Sequence, residues 1–133
     1  ISFKISLETK MPVFEFDRDQ IKRVIINLFN NAVAAVKSRH DYRTKEIKLL
    51  SHYNEQLEMA VIEVSDNGPG MSEDVMARVF EPYFSTKAEG TGLGLAITKR
   101  IINDHDGFIR VHSVLGQGTE FLIELPTNLR QGI

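Results

Sequence analysis

Four short segments, spread along the chain, carry the groups that would hold a metal–nucleotide complex. In chain order they are Asn27-Leu28-Phe29-Asn30-Asn31-Ala32, Asp66-Asn67-Gly68-Pro69-Gly70, Gly90-Thr91-Gly92-Leu93-Gly94-Leu95 and Gly116-Gln117-Gly118-Thr119. They provide amide oxygens, a carboxylate beside a flexible turn, a glycine loop before a helix, and a hydroxyl after a turn. A hard metal ion, a purine ring and a triphosphate need these groups. The sequence therefore predicts an ATP-binding domain that acts on the γ-phosphate.

The asparagines of the first segment are candidates for the metal end. Asn27 and Asn31 are four residues apart, so they stack one turn from each other at the edge of a predicted apolar stripe, whereas Asn30 points nearer to solvent. An amide oxygen at this edge could complete the shell of Mg²⁺, which prefers one or two protein oxygens together with phosphates and waters. A lone asparagine on a helix is usually an ordinary polar residue, and the neighbouring motifs give this pair its significance.

The second and fourth segments are candidates for the base end. Asp66 ends an apolar strand and precedes Gly68 and Gly70, which permit positive φ and close approach of a ligand. A carboxylate there can accept from the amino group of adenine but would repel the carbonyl of guanine, so we expect ATP rather than GTP. Taken alone, these residues are explained equally well as a simple turn. The Thr119 hydroxyl could contact the adenine edge or only suit the start of a strand.

The third segment is a candidate for the phosphates. Backbone N–H groups where a glycine loop opens a helix attract phosphate. The residues that would provide them are Thr91, Gly92, Leu93, Gly94 and Leu95. The spacing matches neither a dinucleotide fingerprint nor a Walker loop, and the glycines also suit a mobile lid. Lys87 lies just upstream and could reach a β- or γ-phosphate as a point charge.

Strands and helices must mix to position these segments. Hydrophobic periodicity predicts strands at 2–8, 13–16, 47–53, 57–64, 108–114 and 119–125, and helices at 18–37, 73–79 and 92–104. Asp17 and Gln20 could form a capping box, Ser72 could cap the short second helix, and Gly107 could end the third. The pattern predicts a two-layer α/β sandwich, in which helices cover one face of a mixed sheet.

Composition excludes several other classes of function. The chain has 133 residues, enough for one domain with a core, and no apolar run reaches the roughly 18–20 residues of a membrane span. A net charge of −2 with mixed signs gives no basic patch for nucleic acid. The absence of cysteine excludes disulfides and thiol catalysis. The chain begins at Ile1, and we expect residues 1–133 to be one domain excerpted from a longer protein.

The motifs resemble, in order, the N, G1, F, G2 and G3 boxes of sensor histidine kinases, in the larger group with gyrase B, Hsp90 and MutL ATPases. The resemblance covers essentially the whole chain. The stretch Phe80-Glu81-Pro82-Tyr83-Phe84-Ser85-Thr86-Lys87, followed by Gly-Thr-Gly-Leu-Gly-Leu, is most similar to nitrogen-regulation-type sensor kinases. The aromatic residues of this stretch could pack the lid onto the core and form a contact surface for another domain.

The resemblance implies a Bergerat fold: a mixed, mostly antiparallel sheet covered on one face by about three helices, with a mobile ATP lid over residues 80–93. Asn31 would coordinate Mg²⁺, Asp66 would bind the adenine amino group, and Thr119 would contact the adenine side. Gly68 and Gly70 would shape the pocket. The domain would donate the γ-phosphate of ATP to a histidine on a separate helical dimerisation domain, from which an aspartate of a response regulator would receive it. We expect the isolated domain to be monomeric and not to autophosphorylate alone. We also expect it to belong to the cytoplasmic side.

Departures from the family pattern bear on the chemistry. Hydrolytic relatives carry a glutamate four residues before the metal-binding asparagine, and Asn27 stands there, which cannot act as a general base and so favours a kinase. Many relatives carry a lysine and an aromatic residue where this chain has Ala34 and Ala35, so Lys87 could supply the missing charge. We therefore assign Asn27 and Lys87 to the catalytic end. The phosphoacceptor segment is absent, because none of the four histidines has the acceptor surroundings.

Three other functions share some of these features. A stand-alone serine kinase of the anti-sigma type has the same fold and a similar length. A nucleotide-gated ATPase module would use lid closure to drive partner binding, and a degenerate domain would bind partners without ATP. The aromatic stretch, Asn27 and the four intact nucleotide segments argue respectively against these three alternatives.

Overall fold

A five-stranded mixed sheet carries three helices. The structure, a computed structural model, describes residues 1–84 and 93–128. The elements are β1 Ser2–Ser6, α1 Arg18–Lys37, β2 Glu46–Asn54, β3 Met59–Asp66, α2 Glu73–Arg78, α3 Gly94–Asp104, β4 Phe108–Val114 and β5 Gly118–Pro126. The strand order is β1-β2-β3-β5-β4, and only the β1–β2 pair is parallel. The predicted two-layer fold with a mostly antiparallel sheet is confirmed.

The core lies between the sheet and the helices α1 and α3. The apolar stripe of α1 is buried where the 3.6-residue period places it, at Ile21, Val24, Leu28, Ala32 and Val36. Ile101 and Ile102 of α3 join it, against side chains of β3 and β5 such as Val64, Phe121 and Ile123. Burial of these side chains stabilises the packing of both helices on one face of the sheet.

The opposite face of the sheet is polar. There Glu63 of β3 lies near Glu120 of β5, and His52 Nε2 lies 3.7 Å from the Glu63 carboxylate. Burial raises the pKa of the Glu63 carboxyl, and the neighbouring Glu120 raises it further. The predicted base-binding residues Asp66 and Thr119 lie on the other, helix-covered face, in register with the core residues Val64 and Phe121.

One side chain joins the start of α1 to the end of α3. Asp17 caps α1 as predicted, since its carboxylate accepts from the Gln20 N–H at 3.0 Å. The second half of the predicted capping box is provided by His105 instead of Gln20. His105 Nε2 accepts from the Asp17 N–H at 3.0 Å, while its Nδ1 lies 2.8 Å from the Ile101 carbonyl oxygen. A long-range contact has therefore replaced the local one.

The end of α3 differs in detail from its prediction. Gly107 was predicted to end the helix. The left-handed residue that ends it is instead Asp106, with φ 57°. The Gly107 N–H donates to Ile102 O and the Asp106 N–H to Asn103 O, which is the Schellman pattern. Gly107 is needed for another reason, because a β-carbon on it would overlap the Glu124 carbonyl oxygen of β5.

The first segment of the chain is less buried than its alternation predicts. Phe3, Ile5 and Leu7 are each more than half exposed, although the Phe3 ring stacks on Phe29 of α1 at 5.8 Å. The strand predicted at 13–16 is wrong, because these residues pair with no strand. An edge strand that runs parallel to β2 leaves its outer face beyond the reach of α1 and α3.

Candidate nucleotide site

A row of polar side chains ends the apolar face of the sheet. Asp66 on β3 is directly opposite Thr119 on β5, which is directly opposite Ser113 on β4. Side chains that are directly opposite in a sheet share a face, with β-carbons about 4.5–5.5 Å apart. The next row toward the core is apolar, formed by Val64 and Phe121. The sequence predicted Asp66 and Thr119 as base-binding residues, and the sheet register brings them side by side.

The turn after Asp66 packs closely against α1 because Gly68 has no side chain. A β-carbon on Gly68 would lie 2.8 Å from the Ala35 β-carbon and 2.9 Å from the Asp66 carboxylate. The Gly68 N–H donates to that carboxylate at 2.8 Å, which orients it. Ala35, where many relatives carry a larger residue, therefore has a packing reason to be small. The segment of Asn31 and the segment of Asp66 are joined at this contact.

The same turn also contacts the turn between β4 and β5. Gly70 has φ +72° and Gly118 has φ +135°, and a β-carbon on either would overlap a backbone carbonyl of the other segment. The Gly116 N–H donates to Pro69 O at 2.7 Å. Backbone packs directly on backbone here, which helps to fix the position of Asp66 relative to Thr119.

Three polar side chains that the sequence analysis did not single out, those of Asn67, Arg39 and Arg43, also fix this arrangement. Asn67 Oδ1 accepts from the Glu46 N–H at 2.8 Å, and its Nδ2 donates to Thr44 O at 2.6 Å. The almost fully buried Arg39 donates to Asn67 O and to the Asp41 carboxylate. Arg43 contacts the same carboxylate and donates to Gly116 O at 3.0 Å.

Asp41 holds the two arginines of this loop. The hydrogen bond from Arg39 lowers the pKa of the Asp41 carboxyl below its usual value, with a further contribution from Arg43. The Arg39-x-Asp41-x-Arg43 alternation is the sequence signal that could have identified the loop as more than a solvated connection. It ties α1, the turn after Asp66 and the β4–β5 turn into one unit.

The candidate phosphate end lies where α1 meets α3. Asn27 Nδ2 donates to Gly94 O at 3.3 Å and to the buried Thr98 Oγ1 at 3.4 Å. Asn27 thus holds the first turn of α3 against the helix that carries Asn31. The first N–H groups of a helix have no partner within the helix, and Leu93, at the N-cap position of α3, has no polar side chain with which to cap it. A β-carbon on Gly94 would meet no atom of the described residues within 4 Å.

Several predicted residues stand apart from this description. Leu95 packs its side chain against the core, so only its backbone is available at the helix start. Lys87, Thr91 and Gly92 lie outside the described residues, as does most of the predicted lid.

The aromatic stretch divides between the core and the surface. The Phe80 ring meets Phe121 edge-on at 6.2 Å, and Arg78 lies over the Phe84 ring at 4.6 Å. Tyr83 is 77% exposed, in a left-handed conformation with φ 64°. The packing role predicted for this stretch therefore belongs to Phe80, whereas Tyr83 is the large aromatic side chain that its described part exposes to solvent.

The family model that describes histidine kinase-, DNA gyrase B- and HSP90-like ATPases matches residues 16–129. The chain belongs to this family. Membership implies ATP binding, and it agrees with the mixed sheet, the glycine turn after Asp66 and the helix start at Gly94.

Similar proteins are sensor histidine kinases. The chain is 38% identical over 128 residues to the signal transduction histidine-protein kinase AtoS of Escherichia coli K12, covering 96% of this chain and 20% of AtoS. It is 37% identical over 131 residues to the sensor histidine kinase ZraS of Salmonella typhi, covering 98% and 27% respectively. The chain thus spans between a fifth and a little over a quarter of the length of these relatives.

Solved structures share the fold. The catalytic domain of histidine kinase ThkA in a nucleotide-free form has a TM-score of 0.79 at 33% identity, covering 95% of this chain and 78% of that one. Full-length ShkA in complex with AMPPNP also has a TM-score of 0.79, at 28% identity, covering 94% and 25%. The Bergerat-type fold inferred from the resemblance is confirmed by these comparisons. Within residues 1–84 and 93–128, no helix has the length and apolar character needed to cross a bilayer.

Proposed function

We propose that this domain binds Mg²⁺–ATP and donates its γ-phosphate to a histidine on a separate helical dimerisation domain of the same kinase. The observation that carries the proposal is the row of Asp66 and Thr119, held in register on the helix-covered face beside a turn of backbone-packed glycines. The sensor kinases to which the chain is similar favour this function over a stand-alone serine kinase or a nucleotide-gated module.

At the base end, the Asp66 carboxylate would accept from the exocyclic amino group of adenine. One of its oxygens, Oδ1, already accepts from the Gly68 N–H, which holds the carboxylate in place. A 6-oxo purine would bring a carbonyl oxygen against this carboxylate. Repulsion of that kind is the physical basis for selecting ATP over GTP.

At the phosphate end, Gly92, Leu93, Gly94 and Leu95 would offer backbone N–H groups, and Lys87 would add a positive charge. The donor set fits Mg²⁺, because an amide oxygen on Asn31 is a hard ligand that can share the ion with phosphate oxygens and water. Mg²⁺ would there neutralise charge that develops on the phosphates. Asn27, held at the junction of α1 and α3, would position these groups and cannot activate water, so transfer to a protein acceptor is favoured over hydrolysis.

The acceptor would be a histidine of the dimerisation domain, and a response regulator receiver domain would take the phosphoryl group next. Both belong to two-component signalling. The reaction would take place on the cytoplasmic side, because ATP is available there. The domain alone would be a monomer that binds nucleotide without phosphorylating itself.

Calorimetric titration with ADP and ATP, with and without Mg²⁺, tests this proposal. We expect Asp66→Asn to weaken binding under every condition, because an amide would present a donor or a weaker acceptor to the adenine amino group. Asn31→Ala should weaken mainly the Mg²⁺-dependent part of ATP binding. Loss of one hydrogen bond to a charged group corresponds to about tenfold or more in affinity.

Two matched variants control for nonspecific effects. Asn30→Ala removes an exposed amide from the adjacent position of the same helix, and Asp104→Asn neutralises an exposed carboxylate at the far end of α3. Both should bind nucleotide as the wild type does. A wild-type domain that binds neither ADP nor ATP would overturn the proposal.

A further inference from the structure

A buried hydroxyl forms the β4 end of the polar row, beside Thr119. Ser113 of β4 is 6% exposed, and its neighbour Thr119 is 8% exposed. Three polar groups surround the Ser113 oxygen: the Met71 N–H at 2.7 Å, Gly118 O at 2.9 Å and Thr119 Oγ1 at 2.9 Å. Sequence reasoning assigned Ser113 no function.

The number of available protons determines which of these groups donate and which accept. Ser113 has one hydroxyl proton, and Gly118 O can only accept, so the Ser113 hydroxyl donates to that carbonyl. The Met71 N–H can only donate, so it donates to Ser113 Oγ. The remaining contact is satisfied when the Thr119 hydroxyl also donates to Ser113 Oγ. This arrangement satisfies all three contacts with the two available hydroxyl protons.

The consequence appears on the other side of Thr119. With its proton directed at Ser113, the Thr119 oxygen offers only lone pairs to a ligand beside Asp66. A carboxylate at Asp66 is also only an acceptor. Two neighbouring acceptors suit a group with two N–H donors, which the exocyclic amine of a 6-aminopurine has and a 6-oxopurine lacks.

We propose that Ser113 is a positioning residue for base recognition, which sets the Thr119 hydroxyl as an acceptor and so makes the base site select an exocyclic amine over a carbonyl. This inference rests on the proposed nucleotide function and names a specificity determinant within that site. Through the Met71 N–H, Ser113 also fixes the backbone that leads from the glycine turn toward α2.

The test compares ADP with inosine diphosphate, which replaces the 6-amino group by a carbonyl. The measured quantity is the ratio of the two dissociation constants by calorimetry. In Ser113→Ala the Thr119 proton is free to turn toward the ligand and donate to a carbonyl. We expect the preference for ADP to fall about fivefold or more, the size of one reoriented hydrogen bond.

Three further variants separate this role from a merely structural one. Ser51→Ala is the matched control: Ser51 is also on a strand and also accepts a backbone N–H, from Glu8 at 3.0 Å, but it lies on β2 away from the row. Its selectivity ratio should equal that of the wild type. Ser113→Thr keeps the hydroxyl and should keep the ratio even where the added methyl lowers the unfolding midpoint. In a Thr119→Val background, Ser113→Ala should change the ratio no further, because its effect passes through Thr119.

The outcomes are distinct. Wild-type binding with an unchanged ratio in Ser113→Ala overturns this inference and leaves the proposed function standing. A wild type that binds neither diphosphate overturns both. If Ser113→Ala does not fold, Ser113→Cys, which keeps the volume but hydrogen-bonds weakly, takes its place in the same comparison. A ratio in Ser113→Cys equal to that of Ser113→Thr would then count against the proposal.

Discussion

The glycines at the two ends of the site serve opposite purposes. At the base end, Gly68, Gly70 and Gly118 are glycine because other atoms of the protein occupy the space of a side chain. At the phosphate end, a β-carbon on Gly94 would meet no atom of residues 1–84 or 93–128 within 4 Å. Within the described part of the chain, one end is therefore closed by the protein's own backbone and the other is left open.

This difference indicates how the work of binding is divided. The base end is preorganised, because the Asp66 carboxylate, Asn67 and Arg39 are held by hydrogen bonds within the protein. A preorganised site loses little conformational entropy when a ligand arrives. At the phosphate end, a β-carbon on Gly94 would meet no described atom within 4 Å, so the final contacts there are expected to form with the nucleotide.

The largest effect is expected from filling the closed end. In Gly118→Ala the new β-carbon would overlap the Asp66 carbonyl oxygen, and φ +135° strains any side chain. Overpacking and backbone strain together predict a loss of about 3 kcal/mol or more in the free energy of unfolding. Urea denaturation followed by circular dichroism measures it.

Gly116→Ala is the control for backbone strain alone, because Gly116 has φ +81° but open space around it. We expect a smaller loss there, of about 1 kcal/mol. Equal losses in the two variants would show that close packing at Gly118 is unimportant, and the contrast between the two ends would fail.

A smaller effect is expected at the open end, where stability should stay the same or rise while nucleotide affinity falls. Gly94→Ala should leave the free domain as stable or more stable, by up to about 1 kcal/mol, since alanine is favoured in a helix. The same methyl should weaken ADP binding about tenfold, because it enters the space left for phosphate. Thermal unfolding without nucleotide and calorimetry with ADP measure the two quantities. Strong destabilisation of the free domain would show that this end is closed as well.

The smallest expected effect is on the pH dependence of the unfolding free energy. It concerns Asp41, in the loop that contacts the closed end. The folded-state pKa of Asp41 is lowered from 3.8, mainly by its hydrogen bond from Arg39. A lowered folded-state pKa contributes stability that is complete above the unfolded-state value and is lost as pH falls through the folded-state value. The difference in unfolding free energy between wild type and Asp41→Asn should therefore be constant near neutral pH and shrink in acid. A difference for Asp41→Asn that grew as the pH fell would contradict the assignment.

Sequence patterns predicted the elements better than the contacts between them. The α1 stripe and the Asp17 and Ser72 caps followed from local period and capping chemistry. The short strand at 13–16 was wrong because alternation over four residues is too weak without a partner strand. The predicted capping box was wrong in one contact. The Asp17 N–H donates to His105, eighty-eight residues away, and not to Gln20.

The candidate site shows the same division. Asp66, Asn31 and Thr119 were chosen by residue type and motif spacing, and the register placed Asp66 beside Thr119. Arg39, Asn67 and Ser113 were missed as site residues because their importance arises from contacts across the fold. A buried serine has no local signature, and only the pairing of β4 with β5 places it against Thr119.

The closed end consists of three segments, 39–43, 66–71 and 113–119, that are distant in sequence and meet only when β3, β5 and β4 have paired. A chain that has folded halfway therefore has no base site to offer. Nucleotide would bind the finished domain alone and, by mass action, add about 2.7 kcal/mol to its stability at a hundredfold excess over the dissociation constant. Cellular nucleotide would thus act as a thermodynamic check on folding: completed domains are retained, and incomplete ones gain nothing.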